Sequence, residues 1–272
     1  MGNHLVLGAI VGDINGSIYE FNNIKSINFN LFTEDMFYTD DSILTLGVMK
    51  TLLEVNPFKN IEEFKKDLIN NFVTLTKANS DRGFGRYFLK WIDSDDHDPY
   101  NSFGNGAAMR ISPVSRYSKS LEEVKILSNI VTSITHNNPL SIEGSECLAS
   151  SIYLAKIGSN KEKIKENIKK YYPFIDELNY DDLVKNYKFS SKIDNSLPQA
   201  LFCFLISSSF ESCLRLSISI GGDSDTIADM SCSLAEAFYK EEDLSFFKNK
   251  ALSYLPKEYQ KIIFDFSRVV SF

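Results

Sequence analysis

Gly221-Gly222-Asp223-Ser224-Asp225-Thr226 runs directly into an apolar stripe that extends from Ile227 to Tyr239. Tyr38-Thr39-Asp40-Asp41-Ser42 does the same ahead of Ile43, Leu44, Leu46, Val48, Leu52 and Leu53. Apolar residues at spacings of three and four mark one face of an α-helix, so both acidic clusters stand at helix N-termini. Taken singly, either cluster reads as a cap, because Asp, Ser and Thr accept from the free N–H groups of a first turn and anions are favoured there. A cap needs one side-chain oxygen. Each cluster supplies two aspartates flanked by hydroxyls, and adjacent carboxylates repel unless something compensates them. Hard divalent cations take carboxylate, hydroxyl and water oxygens. If the two helix starts converge, Asp40, Asp41, Asp223 and Asp225 can hold one or two such ions, about 4 Å apart. Gly221-Gly222 lets the chain turn tightly before the second helix.

The rest of the chain repeats the helical period. Phe64, Leu68, Phe72 and Leu75 form one stripe, and Val124, Leu127, Ile130, Val131 and Ile134 form another. Further helices are predicted from Pro198 through Leu205, from Phe210 to Ile220 and across Ile262 to Val270. Alternation is brief, as in Ile24 to Phe29, and no βαβ rhythm appears, which argues against a dinucleotide-binding fold. Ser159 to Ser191 is rich in Lys and Glu and reads as a solvated helical excursion. No low-complexity linker or repeat divides the sequence. The predicted fold is all-α: a compact helical bundle forming a single domain over residues 1–272.

Composition removes several function classes. Of 272 residues, 43% are hydrophobic and 13% aromatic, enough for a full core. The net charge of −7 disfavours nucleic-acid or anionic-membrane partners. No apolar run approaches the ~20 residues of a membrane-spanning helix, and Met1 to Gly8 lacks the basic region of a secretory signal. Cys147, Cys203, Cys213 and Cys232 show no metal-type spacing and read as free buried thiols of a cytoplasmic protein. His4, His97 and His136 are far apart in sequence, which excludes multi-histidine metal sites of the HExxH type. An EF-hand starting at Asp223 fails, since Ala228 and Leu234 stand where Gly and Glu are needed. The spacing at Asp223-Ser224-Asp225-Thr226 also resembles the aspartate motif of haloacid-dehalogenase-type phosphatases, but too little chain follows for that α/β fold. The terpenoid-synthase pattern fails at Leu44.

Three further segments carry small or polar residues in informative places. Gly8, Gly12 and Gly16 suit close helix packing. Asn101-Ser102-Phe103-Gly104-Asn105-Gly106-Ala107-Ala108-Met109-Arg110 is a glycine-rich loop entering a helix, whose N–H groups can receive phosphate. Thr135-His136-Asn137-Asn138-Pro139 holds a histidine within a polar cluster.

In this order, together with Gly12-Asp13…Gly16…Glu20 and Ser80-Asp81-Arg82-Gly83-Phe84-Gly85, these segments resemble the ADP-ribosylglycohydrolase family. The resemblance runs from residue 12 to residue 226. It implies an orthogonal helical bundle with a two-metal cleft holding two divalent cations, Mg²⁺ or Mn²⁺. Thr39, Asp40, Asp41 and Asp225 would ligate one ion. Glu20, Asp223, Asp225 and Thr226 would serve the other, with Asp225 bridging. Ser102, Phe103, Gly104, Asn105, Gly106, Ala107, Met109 and His136 would bind the ADP-ribose moiety. The reaction implied is hydrolysis at C1″ of the distal ribose, with Glu20 as the catalytic carboxylate and Asp81 as the second candidate. The implied partner is an ADP-ribosylated protein or small-molecule conjugate, met by a monomer that requires neither nucleic acid nor membrane. Ser42 and Ala107 depart from the family's usual Thr and Gly without removing a ligand. Two alternatives stay open at this point: an inactive ADP-ribose-binding module and a metal-dependent phosphohydrolase.

Overall fold

The computed structural model describes residues 5–240 and 244–270; His4 and the start of the N-terminal segment read above lie outside them. The chain opens with α1 (Gly8–Gly16), α2 (Asp40–Glu54), α3 (Ile61–Ala78) and α4 (Arg86–Ile92). A short α5 (Gly106–Met109) and α6 (Ser112–Tyr117) lead to α7 (Leu121–Ser133) and α8 (Pro139–Lys156). Then come α9 (Lys161–Lys169), α10 (Tyr180–Asn186), α11 (Leu197–Ile206) and α12 (Phe210–Ser219). The last elements are α13 (Ser224–Tyr239), α14 (Leu244–Ser253) and α15 (Lys257–Val270). The fold is all-α, as the periodicity predicts. Among the described residues there is no strand: the Ile24–Phe29 alternation stays irregular, and the one β-type contact is an isolated bridge between Gly104 and Lys192.

Local chemistry places the helix starts. Thr39 caps α2 by accepting from the Asp41 N–H, Asn60 caps α3, Ser120 caps α7, and Asn138 caps α8 just ahead of Pro139. The helix α13 is the axis of the molecule. Every residue from Ser224 to Ala237 is buried, with α1, α8, α11 and α12 packed around it. A helix hidden on all sides needs small side chains to let its neighbours approach, and Ala228, Ser231, Ser233, Ala235 and Ala237 meet that need. The serines find partners close by: Ser233 donates to Met230 O at 2.7 Å within α13, and Ser231 shares a 2.6 Å hydroxyl bond with Ser217 of α12.

The α1–α13 contact positions the site. Residues 8, 12 and 16 of α1 meet residues 232, 228 and 225 of α13, so the helices run antiparallel. A Cβ on Gly12 would stand 2.2 Å from the Ala228 carbonyl oxygen, and one on Gly16 would stand 2.4 Å from Asp225 Cα. Only glycine permits this approach. It brings the acidic start of α13 against the end of α1.

The excursion after α8 is less solvated than its composition suggests. Ile164, Ile168, Ile175 and Leu183 are buried, and the chain returns to the centre, where Ser191 O accepts from the Asn105 N–H at 2.8 Å. The four cysteines are free and buried, as expected. Among the described residues no helix is long and apolar enough to cross a membrane.

Candidate metal centre and active-site cleft

A cleft of about 380 Å³ opens where the starts of α2, α5 and α13 converge. Its floor is acidic. Asp13, Asp41 and Asp225 each bring a carboxylate oxygen within 4.8 Å of the other two, and Glu20, Asp223 and Asp225 do the same. Asp225 belongs to both groups. The aspartates of the two sequence motifs therefore meet, and Asp225 bridges them. Asp40 lines the cleft with Asp41 but belongs to neither group, since adjacent helix positions point about 100° apart.

The organising residue is Asp13, which the sequence reading left without a role. It is fully buried on α1. Its carboxylate accepts from the Thr39 N–H at 2.9 Å, the Thr39 hydroxyl at 2.7 Å, the Ser42 N–H at 3.1 Å and the Ser42 hydroxyl. Asp13 thus fastens the start of α2 to α1 and turns Thr39 into a positioning group. Thr226 lines the cleft, and its hydroxyl donates to Asp41 Oδ2 at 3.3 Å. Asn105 donates to Asp223 Oδ2 at 2.7 Å, tying the glycine-rich loop to the acidic floor. Gly221 and Gly222 take positive φ angles of 71° and 79°, making the turn that aims Asp223.

Burial of so many acids has an electrostatic consequence. Among the described residues no Lys, Arg or His forms an ion pair with Asp13, Glu20, Asp41, Asp223 or Asp225. Desolvation pushes Asp13 and Asp223 above the usual carboxylate range. It pushes Asp40, Asp41 and Asp225 well above, helped by their acidic neighbours. Glu20, half-buried beside Asp223 and Asp13, is pushed up to about 7. Asp41 Oδ1 is buried with no hydrogen-bond partner. Asp229, one turn beyond Asp225, is fully buried with neither oxygen partnered. An all-oxygen donor set with an orphaned carboxylate oxygen and no protein cation fits hard divalent ions.

The other walls come from the loop before α5 and from the chain around it. Ser102, Gly104, Asn105, Gly106, Met109 and His136 line the cleft, as the sequence analysis places them. Two residues of that set do not. Ala107 is fully buried behind the wall, and Phe103 is half-exposed under Lys192 Nζ, 5.6 Å from its ring centre. Asp81 lies outside the lining: its side chain is 83% exposed, 3.9 Å from Arg82 Nε. Its neighbours do the positioning, since Arg82 O accepts from the Asp40 N–H at 2.8 Å. Tyr100, Arg110, Phe189 and Ser191 also line the cleft and were not singled out. Arg110 stood inside a recognised segment, whereas Phe189 and Ser191 arrive from the excursion. The signal for Asp13 was visible: a lone acid inside the apolar run Leu5 to Ile14 must be buried and must find partners.

Comparison with known proteins agrees with this architecture. The family profile of ADP-ribosylglycohydrolase matches residues 4–252. The chain is 26% identical to ADP-ribosylhydrolase ARH3 of Mus musculus, with 87% of this chain and 83% of that protein covered. Against ADP-ribosylhydrolase ARH3 of Homo sapiens it is 24% identical, covering 85% and 83%. A solved structure titled ADP-ribosylglycohydrolase-related protein complex superposes with a TM-score of 0.71 at 21% identity, covering 99% of this chain and 98% of its own.

Proposed function

This chain belongs to the ADP-ribosylglycohydrolase family, a family of hydrolases, and from that premise we propose that it hydrolyses the glycosidic bond at C1″ of ADP-ribose in a divalent-cation-dependent reaction. The substrate is an ADP-ribosylated protein side chain or small conjugate. The observation that carries the reading is the pair of carboxylate groups sharing Asp225 without a protein cation, set beside a glycine-rich wall.

Asp13, Asp41 and Asp225, with the Thr226 hydroxyl alongside, would hold one cation; Glu20, Asp223 and Asp225 would hold the second. Mg²⁺ or Mn²⁺ bound there supplies Lewis acidity and neutralises the charge of clustered acids and substrate diphosphate. The chain's own groups do the rest. Ser102, Gly104, Asn105, Gly106 and Met109 line the glycine-rich wall of the cleft, where they would bind the diphosphate and proximal ribose. In the reaction the C1″–X bond breaks through an oxocarbenium-like transition state, water adds its hydroxyl to C1″, and the leaving group takes a proton. Glu20, which lines the cleft beside Asp223 and Asp225, is the carboxylate that would move that proton. Asp81, exposed and outside the cleft, is the weaker candidate for this role.

A panel of arginine- and serine-linked ADP-ribosyl peptides, incubated with Mg²⁺ or Mn²⁺ and read by mass spectrometry, tests the proposal. Release of intact ADP-ribose that stops in EDTA supports it. Binding of ADP-ribose without turnover, release of phosphate, or full activity in EDTA overturns it.

A further inference from the structure

His136 sits just beyond α7 with its ring against the glycine-rich loop. Its Nε2 lies 3.5 Å from where a Cβ on Gly104 or on Gly106 would stand, so it faces that loop directly. Its Nδ1 lies 2.6 Å from Thr135 Oγ1. The same hydroxyl oxygen accepts from Arg110 Nη2 at 2.6 Å. A guanidinium offers donors only, so the direction of that bond is certain. Thr135 is fully buried. Among the described residues its hydroxyl proton has one acceptor within reach, His136 Nδ1. A buried donor left unpaired is costly, so the proton goes to Nδ1 and the neutral ring carries its own hydrogen on Nε2.

We propose that Arg110 and Thr135 lock His136 as an uncharged Nε2–H donor aimed into the 104–106 loop, where it binds an oxygen acceptor of the ligand. The identity of that ligand as an ADP-ribosyl group rests on the function proposed above. Arg110 and Thr135 are positioning residues, since they act through the imidazole.

The charge arrangement supports the lock. The Arg110 guanidinium is fully buried, lies 4.8 Å from the Phe72 ring centre, and leaves Nε and Nη1 unpartnered. A protonated imidazole would put a second cation next to it and aim Nδ1–H at an oxygen already receiving the Arg110 proton. Among the described residues the other titratable group against the ring is Tyr100, at a centroid distance of 5.7 Å. Burial pushes its phenol up to about 12, so it is uncharged at neutral pH. Burial first, and Arg110 second, hold His136 well below the usual imidazole range. The donor therefore stays a donor through the pH range in which a free histidine would switch.

The test is long-range ¹H–¹⁵N correlation spectroscopy on the full ¹⁵N-labelled chain. Its three histidines, His4, His97 and His136, are separable by a His136→Asn control. The expected wild-type pattern at His136 is the neutral Nε2–H tautomer, kept as the pH falls through the range in which an ordinary imidazole protonates. Thr135→Val should produce mixed tautomers or protonation inside that window, and Thr135→Ser should restore the wild-type pattern. Thr135→Val should also raise KM for an ADP-ribosyl peptide about tenfold, the equivalent of one hydrogen bond, with a smaller effect on kcat. Arg110→Met should allow protonation at higher pH; if that variant does not fold, the Thr135 pair decides alone. An Nδ1–H or imidazolium pattern in the wild type, or an unchanged tautomer in Thr135→Val, would overturn the lock. The spectra need no substrate, so a locked His136 in a chain that hydrolyses no ADP-ribosyl conjugate would sink the functional reading and leave the lock standing.

Discussion

The α1–α13 pair buries carboxylates at both of its ends, and the two ends treat them differently. At one end Glu236, buried on α13, accepts from the Leu7 N–H at 2.9 Å and pairs with Arg116 at 2.9 Å and Lys248 at 3.0 Å. At the other end Asp13, Asp41 and Asp225 crowd together with no protein cation among the described residues. The consequences for proton affinity are opposite: Lys248 and Arg116 outweigh burial and hold Glu236 below the ordinary range, while Asp225 is raised well above it. A fold that can neutralise a buried acid with its own cations leaves one end of the same helix pair unneutralised. On the proposed function the charge there is answered from outside the chain, by divalent cations of the right hardness.

The largest expected effect comes from breaking the unneutralised end. Asp225→Asn removes the ligand common to both groups and should weaken divalent-cation binding by more than about 100-fold, beyond the loss typical of outer partners. ADP-ribose release should fall with it, while the helical circular dichroism persists. Glu20→Gln should lower kcat by about 10² to 10⁴-fold, the range of a lost general acid or base, with cation binding reduced less than in Asp225→Asn.

At the neutralised end the effect should be on stability alone. Glu236→Gln strands the buried Lys248 and the partly buried Arg116 and should cost about 3 kcal/mol or more in denaturant unfolding, because breaking a buried pair leaves uncompensated charge. Activity per folded molecule should be retained. The pH dependence should separate the ends further. Glu236 has a lowered folded pKa, so its stabilisation is present at neutral pH and is lost as pH falls through that value. Glu20 is raised from 4.5 to about 7, so the cation-free chain should lose stability as pH rises through that interval. Added Mn²⁺ should therefore raise Tm more at pH 7.5 than at pH 5. An equal shift at both pH values would contradict the assignment.

Much of this contrast could be read in the sequence, for identifiable reasons. Helical period and cap chemistry are local, so α2, α3, α7 and α13 fall where their stripes predict. The convergence of Asp41 with Asp223 and Asp225 follows from the ordered motifs. The burial of Asp13 is legible in its apolar run, but its role as the anchor of α2 depends on how close two helices approach, and Gly12 and Gly16 carry that information only as a packing stripe. Asp40 and Asp41 look equivalent in the sequence but are split by helix rotation. Phe189 and Ser191 reach the cleft through a backbone pairing between Ser191 and Asn105, which composition cannot encode. Asp229 has no counterpart in the sequence reading, and its unpartnered carboxyl beneath the cluster has no physical explanation in the fold.

A smaller effect should follow from disturbing the approach itself. Gly12→Ala places a methyl against the Ala228 carbonyl and should cost about 1–3 kcal/mol as overpacking. It also parts Asp13 from Asp225, so cation affinity should fall while the Glu236 end still titrates as in the wild type.

Calorimetric titration of the EDTA-treated, dialysed chain with Mn²⁺ at pH 7.5 tests the central claim most directly. Saturable binding of up to two ions per chain, lost in Asp225→Asn and retained in Glu236→Gln, is the result that an unneutralised carboxylate site requires. No saturable heat in the wild type, or the same isotherm in Asp225→Asn, would contradict it.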